Sequence, residues 1–269
     1  VSYVVLFLTI INNGSQKLQK VFLRMAYINI VLILLARVLF LLPQSPFQLL
    51  KHYSSFFWGK QWAAQVKEKA NGKPVIFTNS YALPALYNFY NPKEVTYGYN
   101  TKQYRKTNYS LGNVDSVFDG KPVFVFSNIA LNGDTAVKIQ SKYKTGLLIP
   151  ITYKSINPLR IKAIHLPETY KSGENKTVVV ELENTGTTAV NTENLKIDYA
   201  FFIAKFKFIN STASFNMPDT ILPPGYKKRI RLPLTAPVEP GKYKILFSIV
   251  NGILPGNFAS DFYDAGVIE

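Results

Sequence analysis

The chain holds no Asp or Glu before Glu68, and inside that acid-free stretch Met25–Leu42 (MAYINIVLILLARVLFLL) stays apolar for eighteen residues, interrupted only by Asn29 and Arg37 and ended by Pro43. A run of this length falls in the range of about 17–25 residues that a helix needs to cross a hydrocarbon core of ~30 Å. The segment therefore reads as a membrane-spanning helix. Val1–Ile11 (VSYVVLFLTII) is also uncharged, but at ~1.5 Å per residue it reaches only about half of that thickness. It reads as the end of a further spanning helix in a chain truncated at its start. The competing reading is a signal-peptide core; against it stand the lack of a basic stretch before the run and of a small-residue cleavage site after it.

Between the two runs, Asn12–Arg24 (NNGSQKLQKVFLR) is expected to be a short loop carrying Lys17, Lys20 and Arg24. The positive-inside rule places loop 12–24 in the cytoplasm and everything after Pro43 outside. Arg37 lies near the outer end of its helix. Its guanidinium can snorkel to the interface, or it can pair inside the membrane with a lipid phosphate.

The whole chain carries 31 Lys and Arg against 16 Asp and Glu, a formal charge of +15. Such a balance suits nucleic acid or an anionic lipid; the extracytoplasmic placement disfavours nucleic acid. Charged residues are 17% of the chain, while 47% is hydrophobic and 14% aromatic, which excludes disorder. With no cysteine, and with only His52 and His165, the chain offers no disulfide framework, thiolate site or histidine-rich zinc site. No metal and no cofactor is expected.

After the membrane segments (1–43), two outer parts are expected: a small α/β domain over 44–142 and an all-β, immunoglobulin-like sandwich over 143–269. Pro43–Phe57 has the prolines and aromatics of an interfacial linker. In Trp58–Ala70 the residues Trp62, Val66 and Ala70 share one helical face. The near-repeat NGKPVIF and DGKPVFVF places two buried strands after turns, with Asn79-Ser80 set to cap a helix over Tyr81–Tyr90. Helices between such strands imply a parallel sheet. Beyond Tyr143, seven short β-rich runs are separated by turns. They are Leu147–Tyr153, Leu159–His165, Thr177–Leu182, Leu195–Phe202, Lys207–Ile209, Lys228–Leu234 and Lys242–Val250, the spacing of a sandwich.

Catalytic motifs are missing: there is no Gly-rich phosphate loop, HExxH or GxSxG. The pairs Glu181/Glu183 and Asp261/Asp264 are better explained as exposed polar positions, and Asn132-Gly133-Asp134 as a turn. The unusual stretch is Asn79–Tyr109, where tyrosines interleave with Lys93, Lys102, Arg105 and Lys106 against the single acid Glu94. Such a mixture can stack on sugars and clamp phosphates, or its rings can simply pack.

The order of a last membrane helix, WAxxVxxKAxGKPVIFTNSY, LYNFYNP, YRKTNYSL and DGKPVFVF resembles the C-terminal portion of bacterial C-type membrane glycosyltransferases. This is the superfamily of dolichyl-phosphate-mannose protein mannosyltransferases and the lipid A aminoarabinose transferase. The resemblance covers roughly Val1–Ser127. It implies an inner-membrane enzyme that moves a sugar from a polyprenyl-phosphate donor to lipid A or another envelope acceptor, with catalytic acids in an N-terminal loop outside this chain. No catalytic residue is expected here. By that analogy Arg37, Tyr104 and Arg105 are the candidates for contact with membrane lipid or a lipid-linked phosphate. The rival expectation is a non-enzymatic, membrane-anchored binding or scaffold protein whose sandwich recognises glycan or protein.

Overall fold

The computed structural model describes residues 15–41, 54–111, 113–128, 131, 135–204, 207–217 and 221–269. The readings made for Val1–Ile11, for most of the linker after Pro43 and for the Asn132–Asp134 turn lie outside those residues. Helix α1 spans Gln16–Leu41, and its segment Gln16–Leu39 is long and apolar enough to cross a membrane. At ~1.5 Å per residue those 24 residues reach about 36 Å. Residues 16–24, expected as part of a loop, are instead the opening turns of this helix. The strong helix formers Gln, Lys, Leu and Arg fill them, and the Ser15 hydroxyl accepts the Leu18 N–H at 3.4 Å. Lys17, in the first turn, meets the positive end of the helix dipole, a small unfavourable contribution that the helix propensity of the run outweighs. Arg37 lies on the exposed surface of α1.

Residues 58–269 form a separate compact unit. Helix α2 (Ser54–Ala70) buries Trp62, Ala63, Val66 and Ala70 on one face. Asn71 (φ 47°) and Gly72 (φ 76°) end it in the left-handed conformation. Strand β1 (Val75–Thr78) follows, then α3 (Ala82–Tyr90), whose start is tied by the Ser80 hydroxyl accepting the Leu83 N–H at 3.0 Å. Next come β2 (Thr96–Tyr99), β3 (Pro122–Ser127), β4 (Val137–Ile139) and β5 (Gly146–Thr152). They make one sheet in the order β2-β1-β3-β5-β4. The two members of the near-repeat are the neighbours β1 and β3, parallel with Val75 opposite Phe124, and β2 is parallel to β1 on its other side. Trp62 packs its ring 5.7 Å from Phe77 and 5.6 Å from Phe126, closing the layer of α2 on the sheet.

The expected boundary at residue 143 is displaced. The run assigned as the first sandwich strand is β5, which pairs antiparallel with β3 and extends the α/β sheet. A β-rich run does not itself state which sheet it joins; the open edge of β3 decided that here. The sandwich begins at β6 (Leu159–His165), followed by β7 (Thr169–Lys171), β8 (Asn175–Asn184), β9 (Val190–Asn191) and β10 (Leu195–Ala204). It continues through β11 (Lys207–Asn216), β12 (Ile221–Leu222), β13 (Lys227–Thr235), β14 (Gly241–Asn251) and β15 (Tyr263–Ile268). One sheet runs β11-β10-β14-β15-β7, the other β13-β8-β6, with β9 and β12 paired separately.

Tyr199, Phe201, Ile245 and Phe247 of the first sheet share a core with Val180, Leu182, Leu232 and Leu234 of the second. That core continues into the α/β layer through Ile76, Tyr97, Tyr99, Phe118 and Tyr153. The joint is fixed by Asp115, which is fully buried. Its carboxylate accepts from Tyr153 Oη (3.1 Å), Ser155 Oγ (2.8 Å) and the N–H groups of Ile156 (2.9 Å) and Asn157 (3.1 Å). On β13, an edge strand, Lys227, Arg229 and Pro233 discourage further pairing. Lys227 and Arg229 also reach Glu181, and Lys227 reaches Glu183, so that carboxylate pair belongs to a charged outer face.

Candidate functional site: a cation-lined aromatic groove

Strand β10 reads LKIDYAFFIA, and its Ile197, Tyr199 and Phe201 face the sandwich core. Its other face is covered too: Ala200 and Phe202 join Leu246 and Phe258 in a small second cluster. Register aligns Asp198 with Ser248, Ala200 with Leu246 and Phe202 with Lys244 across β10 and β14. The loop after β14 and the segment after β2 both lie on this outer face.

Their attachment is polar and mostly buried. Lys102 Nζ sits 2.6 Å from each carboxylate oxygen of Asp198, and Ser248 Oγ donates to Asp198 Oδ1 at 2.6 Å. Gly256 accepts the Lys102 N–H at 2.8 Å, and Pro255 accepts the Tyr99 hydroxyl at 2.7 Å. These bonds hold the Lys102–Lys106 segment against the sandwich.

Beside them runs a groove of about 600 Å³. Its apolar walls include Phe202, Ile203, Phe258 and Phe262, and its cations are Lys102, Arg105, Lys106, Lys242 and Lys244, with Asp264 as the acid. Two of these charges are already answered: Lys102 by Asp198 at 2.6 Å and Lys244 by Asp264 at 3.2 Å. Lys106 approaches the exposed Asp261 only to 3.9 Å. The Arg105 guanidinium lies 4.8 Å from the centre of the Tyr81 ring, and Lys106 Nζ 5.8 Å from that of Phe258. An apolar trough with unspent cations at its rim suits an amphiphile with an anionic end. Among the described residues, no three His, Asp or Glu side chains gather as a metal set.

Of the expected site residues, Arg105 lines the groove. Tyr104 does not; it is half-buried, and its N–H bonds the Thr101 carbonyl at 2.9 Å. Arg37 belongs to the separate N-terminal unit. Within the tyrosine-rich stretch Tyr87, Tyr97 and Tyr99 are buried, so their rings pack as core rather than stack on a ligand. Burial pushes the Tyr87 hydroxyl up to about 12, with Glu94 adding to it. Lys242, Phe258 and Phe262 escaped the sequence reading. The pair Phe201-Phe202 is the one sequence signal for them, since adjacent large apolar residues in a strand require cover on both faces.

No protein-family model matches the chain, and no curated protein matches it. Solved structures resemble part of it. An alkylpurine DNA glycosylase from Pseudomonas fluorescens, bound to DNA containing an abasic site analog, is 16% identical with a TM-score of 0.28, covering 42% of this chain and 31% of that one. The sporulation control protein Spo0M from Bacillus subtilis is 12% identical with a TM-score of 0.30, covering 42% of this chain and 51% of that one. A CARDB domain from Pyrococcus furiosus is 17% identical with a TM-score of 0.27, covering 41% of this chain and 92% of that domain. None of these likenesses carries an activity to this chain.

Proposed function

We propose that this chain, its apolar helix and its second unit together, is part of a bacterial inner-membrane glycosyltransferase that moves a sugar from a polyprenyl-phosphate donor to lipid A or another envelope acceptor. The observation that carries the reading is the groove: Arg105, Lys106 and Lys242 edge an aromatic trough in a chain that also holds the apolar helix α1. The cations at the start of α1 favour a cytoplasmic N-terminal end and an outer, periplasmic position for residues after Leu41. In this reading the outer unit holds substrate and does not itself supply the catalytic acids. Arg105 is the groove residue assigned to lipid-linked phosphate, with Tyr104 supporting its segment; Arg37, on α1 of the other unit, is assigned separately to a lipid phosphate in the membrane.

The sandwich is assigned to the immunoglobulin-like class. Supporting this are β6, β8 and β13 in one sheet against β10, β14 and β15 in the other, with β7 parallel to β15. The Tyr243 hydroxyl donates to the Glu239 carbonyl at 2.7 Å where the chain crosses from β13 to β14, as in a tyrosine corner.

The test is sugar transfer in membranes containing the complete protein, from a radiolabelled polyprenyl-phosphate sugar into endogenous acceptor. Arg105→Ala with Lys242→Ala is expected to lower the rate at least tenfold. An unchanged rate overturns the substrate-holding role. Lipid binding without any transfer leaves the membrane-anchored binding protein as the correct reading.

A further inference from the structure

On the other side of Phe258 and Lys106 from the groove lies a second cleft of about 400 Å³, whose lining includes Arg160, Lys162, Ser260 and Asp261. Arg160 and Lys162 stand on β6, alternating with the buried Leu159 and Ile161. Arg160 is half-buried, and its Nη1 is spent on the backbone carbonyls of Asn157 and Leu159, which pin the guanidinium in place. Among the described residues no carboxylate comes within ion-pair distance of it. Glu183, its cross-strand neighbour on β8, is engaged by Lys227 at 3.5 Å. Burial lowers the Arg160 pKa, while the charges of Asp115 and Asp261, neither at ion-pair distance, act in the opposite direction. Ser260 Oγ and the Tyr263 hydroxyl are committed to backbone partners, so the walls are fixed. The cleft's acid, Asp261, is 93% exposed and stands 3.9 Å from Lys106 Nζ, a solvent-screened pair.

We propose that this cleft binds a phosphate group, with the free edge of the Arg160 guanidinium as its main donor and Lys162 and Lys106 as flanking charges. A planar guanidinium held by carbonyls and left without a carboxylate is suited to an oxyanion in two-pronged contact. Three cations against one exposed acid favour the doubly charged phosphate over a carboxylate. Since Phe258 and Lys106 are shared with the groove, a phosphate seated here can carry an apolar body over Phe258 into the trough. The inference concerns binding alone and stands apart from the proposed sugar transfer.

The test uses the full chain in phosphatidylcholine nanodiscs, photolabelled with a benzophenone-bearing farnesyl phosphate and mapped by peptide mass spectrometry. Labelling is expected on peptides containing Phe258 or Phe262. Arg160→Gln should reduce it at least fivefold, Arg160→Lys less, and the exposed Lys162→Gln about twofold, with unchanged circular dichroism confirming the fold. Competition separates the sources. Farnesyl phosphate displacing label at tenfold lower concentration than inorganic phosphate identifies a lipid-borne phosphate; equal displacement identifies a free one. Displacement by farnesol as effective as by farnesyl phosphate overturns the phosphate site. So does labelling that survives both Arg160→Gln and Lys162→Gln. Labelling without sugar transfer would remove the transferase reading and keep this one; transfer without labelling would do the reverse.

Discussion

Lys102 and Asp198, ninety-six residues apart in sequence, meet with the ammonium 2.6 Å from both carboxylate oxygens and fasten the segment after β2 to the outer face of β10. Their side chains are only 6% and 16% exposed, so solvent screens the pair little. Removing one partner leaves the other charge stranded, which costs about 3–5 kcal/mol at buried pairs. Lys102→Met is therefore expected to be strongly destabilising in urea unfolding. Adding Asp198→Leu should recover most of the loss, although Ser248 then lacks its acceptor. A single variant that unfolds at the parent's midpoint would show that the bridge contributes nothing.

Gly256 lies under the same bridge. A Cβ there would stand 2.5 Å from Ser248 Oγ and 2.8 Å from Ser248 Cβ, while the Gly256 carbonyl holds the Lys102 N–H. Gly256→Ala must push the loop off β14 at a cost of about 1–3 kcal/mol. Weaker farnesyl phosphate labelling is expected with it, because Phe258 and Phe262 ride on that loop. A parent-like melting temperature would contradict the close approach.

Asp115 gives a pH signature. Burial pushes its carboxyl above the ordinary carboxylate range, against the pull of its donated hydrogen bonds from Ser155, Ile156, Asn157 and Tyr153. The folded state then binds more protons than the unfolded one between about pH 4 and the raised value, so stability from this group falls as pH rises through that window and is level above it. Asp115→Asn is expected to cost about 1–3 kcal/mol, since one amide oxygen cannot accept from all four donors. The gap between parent and variant should be widest at the acid end and narrow toward neutral pH. A gap that widens with pH would mean that the donors outweigh burial.

Trp62 anchors α2 on the sheet, fully buried among Phe77, Phe126, Tyr143 and Tyr87. Trp62→Ala is expected to cost about 3–5 kcal/mol. Trp62→Phe should cost far less, because the buried indole N–H has no hydrogen-bond partner among the described residues and its removal relieves a desolvated donor. Thermal melting by circular dichroism checks both; equal losses would place the importance of the residue in its N–H.

Much of the local structure is written in the sequence. The acid-free apolar run marks α1, the spacing of Trp62, Val66 and Ala70 marks the buried face of α2, and the two GKPV runs mark β1 and β3 as like elements. These features are set by period, by length and by turn residues, all of which act over a few neighbouring positions. Which strands pair is another matter. The run Leu147–Thr152 has the same β-rich composition as the sandwich strands, yet it completes the α/β sheet, because pairing depends on which edge is open when the chain arrives. The groove is further still from the sequence: Arg105, Lys242 and Phe262 converge only because Lys102 finds Asp198 and the loop after β14 folds back over β10. A charge and an aromatic ring have meaning as a site only through distance, and distances between residues so far apart along the chain are fixed by the packed core and its buried ion pair, not by any local pattern.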